Sequence, residues 1–423
     1  MRYKLSRYNI QFSRDGNDYL WNTLTGALIR LDAEGKAYLS TFDGSDDKHK
    51  FFEPLFKSGC IVDERYSELG KILTDEKSVM LNQVPNEIHF TIAPGLGCNY
   101  NCPYCFEKGR QSQHTMDNDT RDEVCKFIID IAEKNPYLQY IGITWFGGEP
   151  LLYCDTIDYI SRKLINYCNS RDIKYGAGIV TNGRFLSPDV AEMLVENRVS
   201  YVQLAVDGMG EYYAQQKGTT VDEFDATIQN IIDSAVIIPI TVRINVSDNL
   251  DEAIKLTDYL LKKKALDGII KIYVAHIRDY NESCMTVEEK AHGNYLNLEK
   301  EYISLFGEDR LYSRQSLFYV TPTRRTTTCL SVCGNNFCIG PCGELYRCEH
   351  FFGNPDYIVG DIRSGRFYSD IEIEYIKHIH PEKCENCDVF PICLGGCMND
   401  NRSGDVALSC DGFRERLIDY LMF

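Results

Sequence analysis

Residues 87–107, EIHFTIAPGLGCNYNCPYCFE, decide how the chain is read. The opening EIHFTIAP is rich in β-branched and aromatic residues and stops at a proline, the pattern of a short strand and its end. Behind it come Cys98, Cys102 and Cys105, spaced C-x3-C-x2-C, with the aromatic Tyr104 before the last. Three thiolates on a tight loop can hold three irons of a 4Fe-4S cluster and leave the fourth iron open to an exogenous ligand. Structural zinc is the alternative. It calls for four ligands in paired C-x2–4-C knuckles, and no fourth Cys or His lies locally.

Outward from this strand the pattern repeats. Between about 86 and 285, further β-branched runs at 140–147, 175–182, 199–207, 238–246 and 268–277 alternate with amphipathic stretches at 121–134, 156–168, 187–197, 221–235 and 250–264. Six strand–helix units predict an α/β domain, a parallel sheet with helices on its outside. In such folds ligands sit at the carboxyl ends of the strands, so motifs in the loops after strands carry the most weight.

Residues 1–85 form a first unit in which short strands (8–12, 18–22) precede a strand running into a helix (25–42) and the stretch 51–64, the order of a small winged-helix-like α+β module. Residues 286–328, with helix-like 287–306, bridge to a cysteine-rich end, 329–423. The 423 residues are 44% apolar, enough for a proper core. Lys and Arg number 45 against 62 Asp and Glu, a net charge of −17 that disfavours nucleic acid and anionic membranes as partners. No apolar leader opens the sequence and no run of eighteen apolar residues follows, so a cytoplasmic protein is expected. Eighteen cysteines, ten of them between Cys329 and Cys410, point in that setting to thiolate metal ligands rather than disulfides.

The C-x3-C-x2-C spacing after a first strand resembles the radical S-adenosylmethionine (SAM) superfamily, whose fold is a partial (β/α)6 TIM-like barrel. The resemblance implies a 4Fe-4S cluster on Cys98, Cys102 and Cys105, with Tyr104 and Phe106 beside the cofactor. It implies a turn built from Gly147, Gly148, Glu149 and Pro150 that approaches the cofactor's methionine amino group. Thr181 and Asn182 of a TNG exit would meet the ribose. Arg243 and Asn245 would hold the methionine carboxylate, a structural ion pair being the alternative for Arg243. In this chemistry an electron cleaves the S–C5′ bond and a 5′-deoxyadenosyl radical abstracts an unactivated hydrogen.

The segment 382–400, EKCENCDVFPICLGGCMND, has Cys384, Cys387, Cys393 and Cys397 spaced C-x2-C-x5-C-x3-C, followed by Cys410. Upstream, Cys329 and Cys333 precede Gly343 by thirteen and nine intervening residues, and Cys348 closes a G-x4-C. Together these resemble the SPASM extension, which carries two auxiliary 4Fe-4S clusters. The resemblance assigns Cys329, Cys333, Cys348 and Cys397 to the first auxiliary cluster and Cys384, Cys387, Cys393 and Cys410 to the second; two zinc knuckles are the alternative. Cys338 and Cys342 fit no required position and are expected as small buried side chains or alternative ligands, and Cys60, Cys125, Cys154, Cys168 and Cys284 as buried side chains. Glu349 stands where sulfatase-maturing relatives place an acidic base, with a hydrogen bond to a cluster or plain surface charge as the alternative.

The whole resembles maturases of ribosomally made peptides. The implied parts are three 4Fe-4S clusters, SAM, a precursor peptide of leader and core, and an electron donor such as a flavodoxin or ferredoxin. The first unit resembles a leader-recognition element, where a leader adds a strand to an exposed edge. The expected product is a thioether between a peptide cysteine and a carbon. Carbon–carbon or carbon–oxygen cross-linking, epimerisation and formylglycine formation in a sulfatase are the rivals within the class, and a zinc-bearing scaffold the rival outside it.

Overall fold

A computed structural model of the chain describes residues 2–82, 84–246, 250–263, 269–277, 298, 301–307, 322–399, 410 and 413–421. The chain divides into two compact units. One comprises Met1–Leu81, Tyr319–Cys329 and His378–Phe423, the other Asn82–Phe318 and Leu330–Lys377. Residues expected to form the cysteine-rich end therefore fall in both. Cys284 and most of the expected bridge lie outside the described residues.

In the first unit the elements are β1 (Tyr3–Leu5), β2 (Asn9–Arg14), β3 (Asn17–Asn22), β4 (Leu28–Leu31), α1 (Ala33–Thr41), α2 (Phe52–Lys57), β5 (Ile61–Asp63) and α3 (Glu68–Met80). Strands β2, β3 and β4 form an antiparallel sheet in that order, and β1 pairs with β5. Asp15 and Gly16, both at positive φ, close the β2–β3 hairpin, as the Asp-Gly pair favours. Asp32 and Ser67 cap α1 and α3 by accepting from the backbone N–H three residues on. One core here gathers Leu20, Tyr38, Leu39, Phe52, Leu55, Cys60 and Ile61. A second joins Tyr8, Leu24 and Ile72 to Cys384, Phe390 and Leu394 of the cysteine-rich end. The two segments share apolar burial, so neither is a free-standing module.

The second unit holds the expected barrel strands: β6 (Glu87–Ile92), β7 (Tyr140–Trp145), β8 (Lys174–Thr181), β9 (Val199–Ala205), β10 (Ile240–Val246) and β11 (Lys271–His276). They lie in sequence order and every neighbouring pair is parallel. The helices between them are α4 (Asn118–Glu133), α5 (Cys154–Arg171), α6 (Pro188–Glu196), α7 (Gly210–Lys217), α8 (Val221–Ser234) and α9 (Asp251–Leu261). All but α7 follow the expected amphipathic stretches. α4, for example, buries Val124, Cys125, Ile128 and Ala132, a stripe at helical spacing. Ile88, Phe90, Ile92, Ile141, Trp145 and Ile179 are almost wholly buried against such stripes, each burial worth roughly 1.5–3 kcal/mol.

The sheet does not end at β6. Strand β12 (Phe337–Ile339) adds parallel to β6, with Cys338 opposite Thr91, and β13 (Glu344–Tyr346), β14 (Gly360–Asp361) and β15 (Gly365–Arg366) continue it antiparallel. The upstream half of the cysteine-rich end is thereby a continuation of the barrel sheet. No described helix is long and apolar enough to cross a membrane.

Candidate active site

The loop carrying the first three cysteines leaves β6 and packs directly on the turn that leaves β7. Gly147 has φ +104°, and a β-carbon there would lie 2.5 Å from the Gly95 carbonyl oxygen; one on Gly148 would lie 2.4 Å from that of Gly97. Only glycine allows this approach. Glu149 N–H donates to the Gly97 carbonyl at 2.9 Å. The Glu149 side chain is fully buried. Its Oε1 accepts from Leu151 N (2.9 Å) and Thr181 Oγ1 (2.6 Å), and its Oε2 from Asn182 N (2.8 Å). Burial raises its pKa, and the three hydrogen bonds oppose that rise. Glu149 thus clasps the β7 turn to the β8 exit, and any approach to a cofactor amino group uses the lone pairs those bonds leave. Pro150 is buried at the start of the short turn leading to α5.

Asn182 reaches back to the cysteine loop: its Nδ2 lies 2.8 Å from Asn99 Oδ1 and 3.9 Å from Cys98 Sγ. From the other side Asn101 N–H donates to the Lys217 carbonyl at 3.0 Å. Lys217 and Asp207 form a buried ion pair at 2.8 Å, their side chains 3% and 1% exposed. The Tyr104 hydroxyl joins it, hydrogen-bonded to Asp207 Oδ2 and accepting from Lys217 Nζ at 2.8 Å. Burial alone would depress Lys217, but Asp207 and Tyr104 hold its pKa well above the usual value. Asp207 Oδ1 accepts from both the backbone and the side-chain nitrogen of Asn245, at 3.0 and 2.9 Å, and Arg243 Nε donates to Asn245 Oδ1 at 2.9 Å. Arg243, Asn245, Tyr104, Asp207 and Lys217 are therefore one connected network.

Sequence reasoning missed Asp207 and Lys217. The first ends the stretch 199–207 and so sits at the carboxyl end of a barrel strand, a signal that was available. The second closes a helix too short and too polar to stand out.

The three thiols are partly buried near neighbours. Burial pushes Cys98 up to about 11 and Cys105 up to about 12, and the nearby Glu107, Cys102 and, for Cys98, Glu149 add to the rise. Three soft donors whose ionisation is held back chiefly by burial fit a site that a cationic iron–sulfur group completes.

Aromatic rings flank this loop. Phe106 lies 6.1 Å from Phe146 and 4.7 Å from the His350 ring, and Phe146 lies 6.5 Å from Phe352. Arg110 Nη1 donates to the His350 and Phe352 carbonyls at 2.9 and 3.2 Å. The Cys348–Glu349–His350 turn is thereby fixed beside the first cysteine loop. Cys348 Sγ lies 3.3 Å from His350 Nδ1, and Cys338 Sγ 4.0 Å from Glu349 Oε2.

Cys333 is held to the residue after β13 by buried Arg347, which donates to the Cys333 and Asn336 carbonyls at 2.9 and 3.1 Å and pairs with Glu372 at 3.2 Å. Cys338 is buried on β12 and Cys342 is exposed. Cys60, Cys125 and Cys168 are buried as expected, while Cys154 is partly exposed.

Of the eight expected auxiliary ligands, Cys333 and Cys348 belong to the barrel unit, and Cys329 and Cys397 to the other. Cys384, Cys387, Cys393 and Cys410 all lie in the first unit. These four are close enough to act on one another: burial first, then Cys410, Cys384 and Cys387, pushes Cys393 up to about 12. The donor set fits a closed four-thiolate cluster.

Residues 92–257 match the model of the Radical SAM superfamily. With its parallel half-barrel and cysteine loop, this segment is a radical SAM domain, the domain of a class of enzymes that bind a 4Fe-4S cluster and SAM. Over 93% of its length it is 23% identical to the radical SAM cyclopropyl synthase TigE of Paramaledivibacter caminithermalis, covering 89% of that protein. It is 26% identical over 72% of its length to a cysteine-type anaerobic sulfatase-maturating enzyme of Clostridium novyi, covering 85% of that enzyme. Among solved structures it resembles Streptococcus suis SuiB bound to its precursor peptide SuiA, with a TM-score of 0.55 and 16% identity over 95% of this chain and 97% of that one.

Proposed function

We propose that this protein is a maturase of a ribosomally made peptide, joining two peptide positions with net loss of two hydrogens. The observation that carries the radical chemistry is the convergence of Cys98, Cys102 and Cys105 at the carboxyl end of β6, clamped by the Gly147–Gly148 turn. The resemblance to a sulfatase-maturating enzyme over 72% of the chain, and to SuiB, solved with its precursor peptide SuiA, over 95% of it, supports a peptide or protein as the substrate. A 4Fe-4S cluster held by these thiols would, with SAM, supply a hydrogen-abstracting radical.

The chain's own residues position and shield. Glu149 fixes the β7 and β8 exits to each other, and Asn182 places an N–H donor beside Cys98. Tyr104, Asp207, Lys217 and Asn245 pin the cysteine loop to β9, α7 and β10. Phe106, Phe146 and Phe352 line the site with apolar surface that excludes water. Glu349, beside Cys338 and Cys348, is the proposed base for a substrate proton.

Two auxiliary clusters are proposed on the assigned cysteines, the second on Cys384, Cys387, Cys393 and Cys410. A flavodoxin or ferredoxin is proposed as electron donor, and the edge strands of the β2–β3–β4 sheet, which pair with no further strand among the described residues, as the leader surface. A thioether is the first reading of the product. A carbon–carbon bond is the second, favoured by the resemblance to a cyclopropyl synthase. With its peptide, SAM and a reductant the enzyme should lower the peptide mass by two hydrogens. Loss of one alkylatable thiol per event supports the thioether, and two-hydrogen loss with every thiol retained supports the carbon–carbon bond. An unchanged peptide mass would overturn both.

A further inference from the structure

Outside the catalytic machinery, the first unit brings two histidines and a carboxylate together in its interior. Glu76 lies on α3, and His378 and His380 lie in the stretch before Pro381. All three are buried, at 0%, 3% and 6% exposure. Glu76 Oε2 lies 2.6 Å from His380 Nε2, and Glu76 Oε1 lies 3.6 Å from His378 Nε2. One ligand atom from each residue falls within 4.8 Å of the other two.

Two atoms are left over when this is treated as an ordinary hydrogen-bonded cluster. Glu76 Oε1 is buried with no hydrogen-bond partner, and so is His380 Nδ1. A buried, unsatisfied carboxylate oxygen is a costly arrangement unless a cation completes it.

We propose that Glu76, His378 and His380 form a mononuclear site for a divalent first-row transition ion, zinc being the probe of choice. Two imidazoles and one carboxylate are a donor set that such ions take, and bonds of ~2.0–2.2 Å separate neighbouring ligand atoms by about 3.4 Å in a tetrahedral site. The 3.6 Å spacing already meets this. The 2.6 Å pair opens to it by a small rotation of His380. Thr328 Oγ1, 3.2 Å from His378 Nε2, is the next oxygen at the site. The ion would tie α3 to the segment that leads into Cys384 and Cys387, adding a fixed link where the two share a core. No thiol takes part, so the site is distinct from every cysteine site described above.

The test uses the full-length, anaerobically reconstituted holoenzyme, given equimolar zinc and desalted into metal-free buffer. Elemental analysis should find one zinc per chain beyond the cluster iron, and zinc-edge X-ray absorption should show nitrogen and oxygen ligation only. Glu76→Gln keeps the side-chain volume and an oxygen acceptor for His380, and should weaken zinc binding at least tenfold while iron, sulfide and SAM cleavage stay at parental levels. His378→Gln should do the same, as a second variant should the first fold poorly. A parent that retains no zinc, a zinc with sulfur ligands, or a well-folded Glu76→Gln protein that holds zinc like the parent would each overturn the proposal.

Discussion

Replacing Asp207 with Asn keeps the shape of the side chain and an oxygen to accept from Asn245, but removes the charge that faces Lys217. That lysine is 3% exposed in its side chain and pairs with Asp207 at 2.8 Å. Stranding one member of a buried ion pair costs about 3–5 kcal/mol, most of it the desolvation of the partner left behind. At ~1.4 kcal/mol per tenfold, β9 and β10 amides whose exchange follows opening of this region should lose roughly 10²- to 10⁴-fold of their protection. Lys217→Met alone should cost a comparable amount, because Asp207 then keeps only Tyr104 and Asn245. The double variant removes both charges at once. Its cost should fall well short of the sum, with a coupling of about 2 kcal/mol or more. Hydrogen exchange followed by mass spectrometry on the parent, both single variants and the double variant reads all four corners. Additivity within ~0.5 kcal/mol would show that the two residues do not act as a buried pair, and the account of how Tyr104 and the cysteine loop are held would fail with it.

Replacing Cys98, Cys102 and Cys105 with Ala should abolish SAM cleavage and remove about a third of the iron of the fully reconstituted enzyme, checked by deoxyadenosine assay and iron analysis. Glu372→Ala strands Arg347, buried at 3% exposure, and should lower the stability of the barrel unit by ~3–5 kcal/mol, with Glu372→Gln milder, as read by thermal melting. Deleting residues 1–81 removes Tyr8, Leu24 and Ile72 from the core they share with Cys384 and Phe390, so iron bound at Cys384, Cys387, Cys393 and Cys410 should fall while SAM cleavage at the barrel site survives. Burial pushes Cys125 up to about 12 and Cys168 up to about 11. The thiolate is the reactive form, so at pH 8 these thiols should be roughly 10⁻³ ionised or less and stay unlabelled by iodoacetamide until denaturant is added, as peptide mapping will show.

What the sequence by itself determined is local and periodic. Six β-branched runs and the stretches between them fixed the parallel sheet, because strand and helix periods are written in consecutive residues. The C-x3-C-x2-C loop and the GGEP and TNG turns stood out within a few residues of a strand end, and the roles expected of them were those the family resemblance implies. The C-x2-C-x5-C-x3-C run stood out by its spacing, with its ligand assignment implied by the same resemblance.

What only the tertiary structure decided involves partners distant in the chain. Asp207 and Lys217 become site residues because a strand end and a short polar helix both face Tyr104, more than a hundred residues earlier. Glu149 turns out to clasp two strand exits, since Thr181 and Asn182 supply its donors. Pairing and packing also join segments on either side of the expected domain boundaries. Residues 337–339 add to β6 as a seventh parallel strand, and Tyr8 and Ile72 pack with Cys384 and Phe390. A two-residue period or a cysteine spacing says which face of an element is apolar, and only the folded chain says which other apolar face will cover it.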